Sequence, residues 1–309
     1  MPKVTVIIPS YNCDAYIAET IDSILNQTFK DIELIVVDDG STDKTPEIVE
    51  RYGEPVRLIR QQNQRVCAAR NRGIREAKGK FICLMDHDDY WYPEKLERQL
   101  EEFARHPDAG VVYSSFIRWH QGPDGNFPSP DSHDRTSIPD DLDPEYSGWI
   151  YHQFLLDCWM LTSSAMFRSE VFGKCGVFDE ALPYSEDWEL WFRISREYMM
   201  MQLRRPYTLY RQHLQQGNLI VRDIDYRTDL LTAAEKKWGL CSRDGRCTAR
   251  RQFFSRLAKY HAAYGLHHLQ AGNVSTASKS LLKAWKNDPL HLKYLVYIPA
   301  ALLGWRPKW

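Results

Sequence analysis

The sequence predicts an α/β fold: a mostly parallel sheet flanked by helices, followed by an α-helical C-terminal extension. Three observations predict it. Short continuous apolar runs alternate with amphipathic stretches through the first half of the chain. Acidic clusters recur where two of those runs end. From about Asp225 onward the apolar positions fall at helical spacing only.

Val4 to Ile8 is a continuous apolar run, as a strand buried on both faces requires. Asp14 offers an N-cap to a helix whose apolar stripe is Ile17, Ile21, Ile24 and Leu25. Ile32 to Val37 is a second strand, ending at Asp38-Asp39-Gly40-Ser41. Ser41 to Asp43 can cap the helix that carries Ile48 and Val49, and Val56 to Ile59 is a third strand. Ala68 to Ala77 is a helix with Gly79 near its stop. Phe81 to Met85 is a fourth strand, ending at Asp86-His87-Asp88-Asp89. Pro93 suits a helix N1 position, with Leu96, Leu100 and Phe103 as its stripe. Val111 to Phe116 is a fifth strand. Repeated β-α units imply right-handed crossovers, with ligands bound beyond the carboxyl ends of the strands.

Residues 118 to 147 are rich in Pro, Asp, Gly and Ser, and a stretch of that length suits a lid or a disordered segment. A strand is expected over Leu161 to Phe167, a turn around Gly173 to Phe178 and a helix over about Asp187 to Glu197. Two short strands should then end near His213. The C-terminal helices carry Leu257, Tyr260, Tyr264, Leu266 and Leu269, then Ala277, Leu281, Leu282 and Trp285.

The 309 residues exceed what one small core needs, so one large domain with an appendage is expected, 1–222 followed by 223–309. An apolar content of 43% excludes disorder, and a net charge of −1 without a basic block argues against nucleic-acid binding. Seven scattered cysteines without a Cys-x-x-Cys pair suit neither a disulfide framework nor a zinc site, which favours a reducing cytoplasm. No signal stretch opens the chain, and no apolar run reaches the ~20 residues of a membrane span. Leu292 to Trp305, broken by Pro299 and followed by Arg306 and Lys308, suits either a core-packed terminal helix or a peripheral contact with the inner face of a membrane.

The chemistry concentrates at the strand ends. Asp86 and Asp88 alternate past a strand, so both can face one pocket, where oxygen ligands suit Mg²⁺ or Mn²⁺ and a diphosphate. The same cluster also suits a solvated loop that caps the next helix. Asp39 can accept from a ribose hydroxyl or a base N–H, while Gly40 lets backbone come close; an Asx turn explains Ser41 equally well. A Gly-x-Gly-x-x-Gly motif, which a dinucleotide-dependent dehydrogenase would carry, does not follow the first strand.

Five motifs in order, Val4 to Asn12, Gln27-Thr28, Val37 to Asp43, Ala69-Arg70-Asn71-Arg72-Gly73 and Asp86-His87-Asp88-Asp89, resemble the family-2 glycosyltransferases of the GT-A fold. The resemblance is dense over residues 3 to 110, local near Glu186-Asp187 and absent from the C-terminal helices. It divides the first domain into a donor half, about 1–116, and an acceptor half, about 117–222. It implies that Pro9 and Tyr11 line a nucleobase pocket, the Tyr11 ring on uracil, and that Asp39 bonds the base. Asn63 would lie at the nucleotide and Arg70 near base or diphosphate. Asp86 would meet ribose or metal, Asp88 would be the main metal ligand, and His213 would lie near the metal or phosphates.

The acidic pair Glu186-Asp187 matches the family's catalytic position, with Asp187 as general base, its pKa kept low by a helix N-terminus. A helix cap explains the same pair without catalysis. Trp188 follows the base and is the candidate acceptor platform. One departure stands out: where the family often has Asn-x-Gly, this chain has Asn63-Gln64-Arg65, adding bulk and charge that would touch the diphosphate or narrow donor choice. The resemblance thus implies an inverting, metal-dependent transfer from a nucleotide-sugar, most simply a UDP-sugar, to a saccharide or lipid-linked saccharide. A polyprenyl-phosphate sugar synthase and a catalytically silent nucleotide-binding scaffold are the alternatives.

Overall fold

The computed structural model describes residues 2–213 and 223–302. They fall into two compact units, one within Met1–Ile150 and Cys158–Leu214, the other within Tyr151–Asp157 and Gln215–Trp309. The expected boundary near 222 and the segment Trp305, Arg306 and Lys308 lie outside the described residues.

The first unit opens with β1 (Val4–Ser10), α1 (Ile17–Leu25), β2 (Ile32–Asp38), α2 (Thr45–Glu50), β3 (Val56–Arg60), α3 (Arg65–Glu76) and β4 (Phe81–Leu84). Then come β5 (Tyr90–Trp91), α4 (Lys95–Arg105) and β6 (Ala109–His120). After α5 (Tyr151–Phe154), which belongs to the second unit, follow β7 (Ala165–Arg168), α6 (Glu170–Cys175), α7 (Glu186–Glu197) and β8 (Met199–Gln212). One sheet collects the strands in the order β3-β2-β1-β4-β7-β6-β8-β5. The β3-β2-β1-β4 half is parallel, β7 runs antiparallel to both of its neighbours, β6 and β8 are parallel, and β5 is an antiparallel edge. This is the sheet the sequence predicts, mixed beyond β4.

Every residue of β1 is buried, which explains its unbroken apolar run. On α1, Ile17, Ile21 and Ile24 are fully buried, each worth about 2 kcal/mol of transfer free energy. Asp14 does not cap that helix. The chain turns in through Cys13, whose carbonyl accepts from the Tyr16 and Ile17 N–H groups, while the Asp14 N–H donates to Asp43 Oδ2 at 3.1 Å. Asp43 does serve the next helix, its Oδ1 accepting from the Thr45 N–H. Gly73 lets α3 lie close on β1, since a Cβ there would sit 2.3 Å from Ile7 Cγ2.

Three local expectations need correction. The strand expected from Leu161 is a 3₁₀ turn at Thr162–Ser164 before β7 begins, because the backbone must reverse to enter the sheet antiparallel. The two short strands expected before His213 are one, β8. Its ladder with β6 skips from Ser114↔Leu203 to Phe116↔Thr208, and Pro206 falls in the skipped stretch where no ladder donor is needed. The polar stretch after β6 is neither a free lid nor disordered. Arg98 Nε bonds Asp140 at 2.9 Å, the Tyr207 hydroxyl donates to the same carboxylate at 2.8 Å, and Arg135 lies 4.0 Å over the Tyr92 ring.

The second unit contains α5, α8 (Tyr226–Trp238), α9 (Arg250–Gln270), α10 (Val274–Asn287) and α11 (Lys293–Leu302). Ala258, Ala262, Leu269, Ala277, Leu281 and Ala284 form its core. The cysteine expectation is corrected here: Cys241 and Cys247 form a disulfide. The Ser242 N–H donates to the Arg246 carbonyl, closing a hairpin that brings two cysteines six residues apart into opposition, a local pairing that counting scattered cysteines does not register. No described helix is long and apolar enough to cross a membrane.

Candidate nucleotide and catalytic site

The carboxyl ends of β1, β2 and β4 and the start of α3 surround a cavity of about 270 Å³. Pro9, Tyr11, Asp39 and Asn63 line it together with Ser10, Arg65, Val66, Ala69 and His87. Tyr11 is 45% exposed, so its ring is presented rather than packed. Asp39 is held by the loop after β3: its Oδ1 accepts from the Gln64 N–H at 2.9 Å and from Gln61 Nε2 at 2.8 Å. Gly40, at φ +81°, makes that approach possible, since a Cβ there would lie 3.0 Å from the Asn63 nitrogen. Asp38, by contrast, is fully buried, bonded to the Ser41 N–H and Arg60 Nε, and does not line the cavity.

A second cluster centres on Arg70. This buried arginine, raised from α3, donates Nη2 to Asp86 at 2.7 Å and Nη1 to Glu186 at 3.0 Å, with Phe178 5.1 Å from the guanidinium. Burial works against its charge, but Asp86 and Glu186 outweigh that and hold it firmly protonated. Arg70 therefore ties the end of β4 to the start of α7 rather than lining the cavity. Ser163 fixes the other side of Asp86, its hydroxyl accepting from the Asp86 N–H.

Asp187 is partly buried at the N-terminus of α7, its Oδ1 accepting from the Trp188 N–H at 2.7 Å. Its pKa is pushed up to about 7, by burial first and then by the Glu186 charge, against the opposing pull of Arg70. The low value expected from the helix N-terminus is thus corrected. Desolvation and a like charge next door exceed the ~0.3–1 kcal/mol a helix dipole supplies. Trp188 needs correction too: its ring is 3% exposed and stacks on Phe192 at 6.0 Å, so it is core and not a sugar platform.

The rest of the acidic loop divides its labour. His87 lines the cavity, with Nδ1 3.2 Å from the Pro9 carbonyl. Asp88 Oδ2 lies 2.8 Å from His213 Nε2, so residues 125 apart in the chain meet. Burial raises the Asp88 pKa, but the His213 hydrogen bond and the nearby His87 and His213 charges outweigh it and keep the carboxyl below its usual range. Asp89 is fully buried, accepts from the Arg211 N–H, and is pushed well up by burial and by the Asp88 and Asp86 charges. Thr20 closes the loop from beneath, donating to the Asp89 carbonyl at 2.8 Å.

Among the described residues no three His, Cys, Asp or Glu side chains converge as a metal site. Asp88 and His213 nonetheless fit a cation that takes its remaining ligands from a diphosphate. They offer one oxygen and one nitrogen at close quarters, and His213 Nδ1 is buried without a partner. Asp86 gives its Oδ1 to Arg70, which leaves its other carboxylate oxygen as a further candidate ligand.

Sequence reasoning missed two features. Arg211 is buried, donates Nε to the Asp88 carbonyl, pairs with Glu19, and lies 4.1 Å from the Trp119 ring and 4.5 Å from Phe127. It holds the acidic loop from more than 120 positions away, and nothing local announces that. The other is backbone strain. Asn12, Arg65 and Ser185 are the non-glycine residues with positive φ among those described, at 47°, 72° and 61°. Each left-handed residue costs roughly 1–2 kcal/mol, and all three stand at the entrances of elements that build the site. The glycine missing at Arg65 was the one available signal.

A cavity at the carboxyl ends of the parallel half of a mixed sheet, beside a buried carboxylate network, is the ligand-binding arrangement of an α/β fold of the GT-A type. The Glycosyl transferase family 2 profile matches residues 5–159, and the chain belongs to that family: it is a glycosyltransferase. An uncharacterized glycosyltransferase of Rickettsia typhi is 36% identical over 198 residues, 63% of this chain and 59% of that one. Chondroitin synthase of Pasteurella multocida is 28% identical over 228 residues, 73% of this chain and 22% of that protein. The chain thus spans about three-fifths or less of the length of these relatives. Two solved structures share the fold. S. aureus TarS 1–349 in complex with UDP-GlcNAc has a TM-score of 0.64 and 20% identity, covering 98% of this chain and 88% of that one. The mannosyltransferase PcManGT of Pyrobaculum calidifontis, in complex with GDP-Man and Mn²⁺, has a TM-score of 0.52 and 21% identity, covering 99% and 81%.

Proposed function

We propose that the chain transfers a sugar from a UDP-sugar to a saccharide or lipid-linked saccharide acceptor with inversion, in one displacement. The observation that carries this is the juxtaposition of a nucleobase-sized cavity bearing Tyr11 and Asp39 with the Arg70-centred acid network that ends in Asp187. Tyr11 stacks on the base, Asp39 accepts from it, and Asn63 and Pro9 shape its edge. The acceptor hydroxyl attacks the anomeric carbon as its proton passes to Asp187; the bond from that carbon to the diphosphate oxygen breaks, and UDP leaves with the electron pair. A base with a pKa near 7 is suited to this, because about half of it is ionised at neutral pH and it is basic enough to take a proton. Glu186 keeps Asp187 basic, and Arg70 holds Glu186 in place. A divalent cation, Mn²⁺ or Mg²⁺, held by Asp88 and His213, would offset the charge on the departing diphosphate. UDP-GlcNAc in TarS and Mn²⁺ in PcManGT lend support by likeness of fold.

The test is UDP release from a panel of UDP-sugars with Mn²⁺ and saccharide acceptors. Asp187→Asn should retain UDP binding and lose turnover by about 10²–10⁴-fold, the usual worth of a general base. Turnover that survives the substitution places the base elsewhere, and no release from any donor favours a scaffold.

A further inference from the structure

The position before Val66 is where the resembling family often carries glycine, and here Arg65 takes it at φ +72°. Arginine gains nothing from a left-handed backbone, which glycine adopts without strain. Arg65 opens α3, its N–H donating to Asn63 Oδ1 at 3.3 Å, and it lines the same cavity as Tyr11 and Asp39. Among the described residues its guanidinium has no ion-pair or hydrogen-bond partner, whereas the neighbouring Arg70 is fully engaged by Asp86 and Glu186. Its wall-mates Val66 and Tyr11 are 38% and 45% exposed, an apolar pair left uncovered beside a free cation.

We propose that Arg65 is a nucleobase-binding residue that closes over the donor's base as a cationic cover, on a wall shared with Val66 and Ala69. This rests on the reading of the cavity as a nucleotide site. A guanidinium laid on a heterocycle gains from cation–π and stacking contact, which every base offers. The diphosphate is left to the Asp88 and His213 side of the site, whose residues do not line this cavity. Arg65 thus strengthens binding without touching the reacting atoms.

Arg65→Gly and Arg65→Asn both suit the left-handed backbone, so each should fold, with the unfolding midpoint of Arg65→Gly unchanged or raised by about 2 °C. Affinity for UMP and UDP, read by calorimetry on the full chain, should fall about 2–5-fold in both variants, by the same factor for the two nucleotides. Equal affinity in wild type and variants removes Arg65 from the site. A loss that appears with UDP but not UMP, and that added salt abolishes, makes it a phosphate ligand and overturns the base assignment. Should wild type prefer GDP or dTDP, the donor reading fails while Arg65 is judged on that nucleotide and its monophosphate. A wild-type chain that binds no nucleotide overturns both.

Discussion

At the scale of single residues, the site works through what its neighbours do to ionisation. Asp187 and Glu186 are adjacent carboxyls at one helix end, and Arg70 satisfies Glu186 but not Asp187. The second carboxyl therefore carries the cost of two like charges in a partly dry place. Because its folded pKa lies above the unfolded value of 3.8, Asp187 contributes stability below about pH 4 that is lost as pH rises through 7. Asp187→Asn should thus raise the unfolding midpoint at pH 8 even as turnover falls, and a lowered midpoint would mean the carboxylate is not strained. Activity has the mirror dependence: kcat/KM should rise with pH through about 7 as the base ionises. Glu186→Gln keeps the bond to Arg70 but removes the neighbouring charge, so the rising limb should move down by about one pH unit, a differential interaction near 1.4 kcal/mol. A limb that stays in place assigns the ionisation to another group.

Whole elements decide whether those residues meet. Helix α3 carries Arg65 and Ala69 into the cavity and Arg70 into the acid network, so its seat on β1 sets both halves of the site. Gly73 fixes that seat. A methyl group there would sit 2.3 Å from Ile7 Cγ2, and Ile7 lies in a fully buried strand that has nowhere to move. Gly73→Ala should destabilise the chain by about 1–3 kcal/mol through overpacking despite the better helix propensity of alanine. It should also weaken UDP binding, since the start of α3 is displaced with the rest. An urea midpoint equal to wild type, with unchanged nucleotide affinity, would show that α3 tolerates the shift.

The scale of the element is also where the sequence was most legible. Apolar runs and helical stripes locate β1, β2, β4, α1 and α4 because one face or both faces of each are buried against water. The antiparallel entry of β7 and the unity of β8 are not legible, because direction and ladder continuity are properties of a pairing, and period-two burial is the same in either direction. At the site, Asp39 and Asp88 stand out as strand-end motifs, whereas His213 is reached only through the family resemblance. The raised pKa of Asp187, the packed ring of Trp188 and the anchoring by Arg211 do not, since desolvation, burial and contact at long sequence separation are set only after folding.

Across the molecule as a whole, the sheet gathers carboxylates at its β2 and β4 ends and then engages each of them differently. Asp38 is sealed into structure, Asp39 is steadied by Gln61 and the Gln64 N–H yet lines the cavity, and Asp86 is neutralised by Arg70. Asp88 is the carboxylate paired with a possible nitrogen ligand, His213, rather than with an arginine. A cation arriving with a diphosphate can therefore take Asp88 and His213 together as ligands, a role no arginine can fill at Asp86. Asp88→Ala should abolish the enhancement of UDP binding by Mn²⁺ and leave metal-free UDP binding within about twofold, because Tyr11 and Asp39 are untouched. His213→Ala should reduce the enhancement without abolishing it. Calorimetric titrations of UDP with and without Mn²⁺ decide the matter: an undiminished enhancement in Asp88→Ala would move the cation to Asp86, and Arg70→Ala would then be expected to strengthen it.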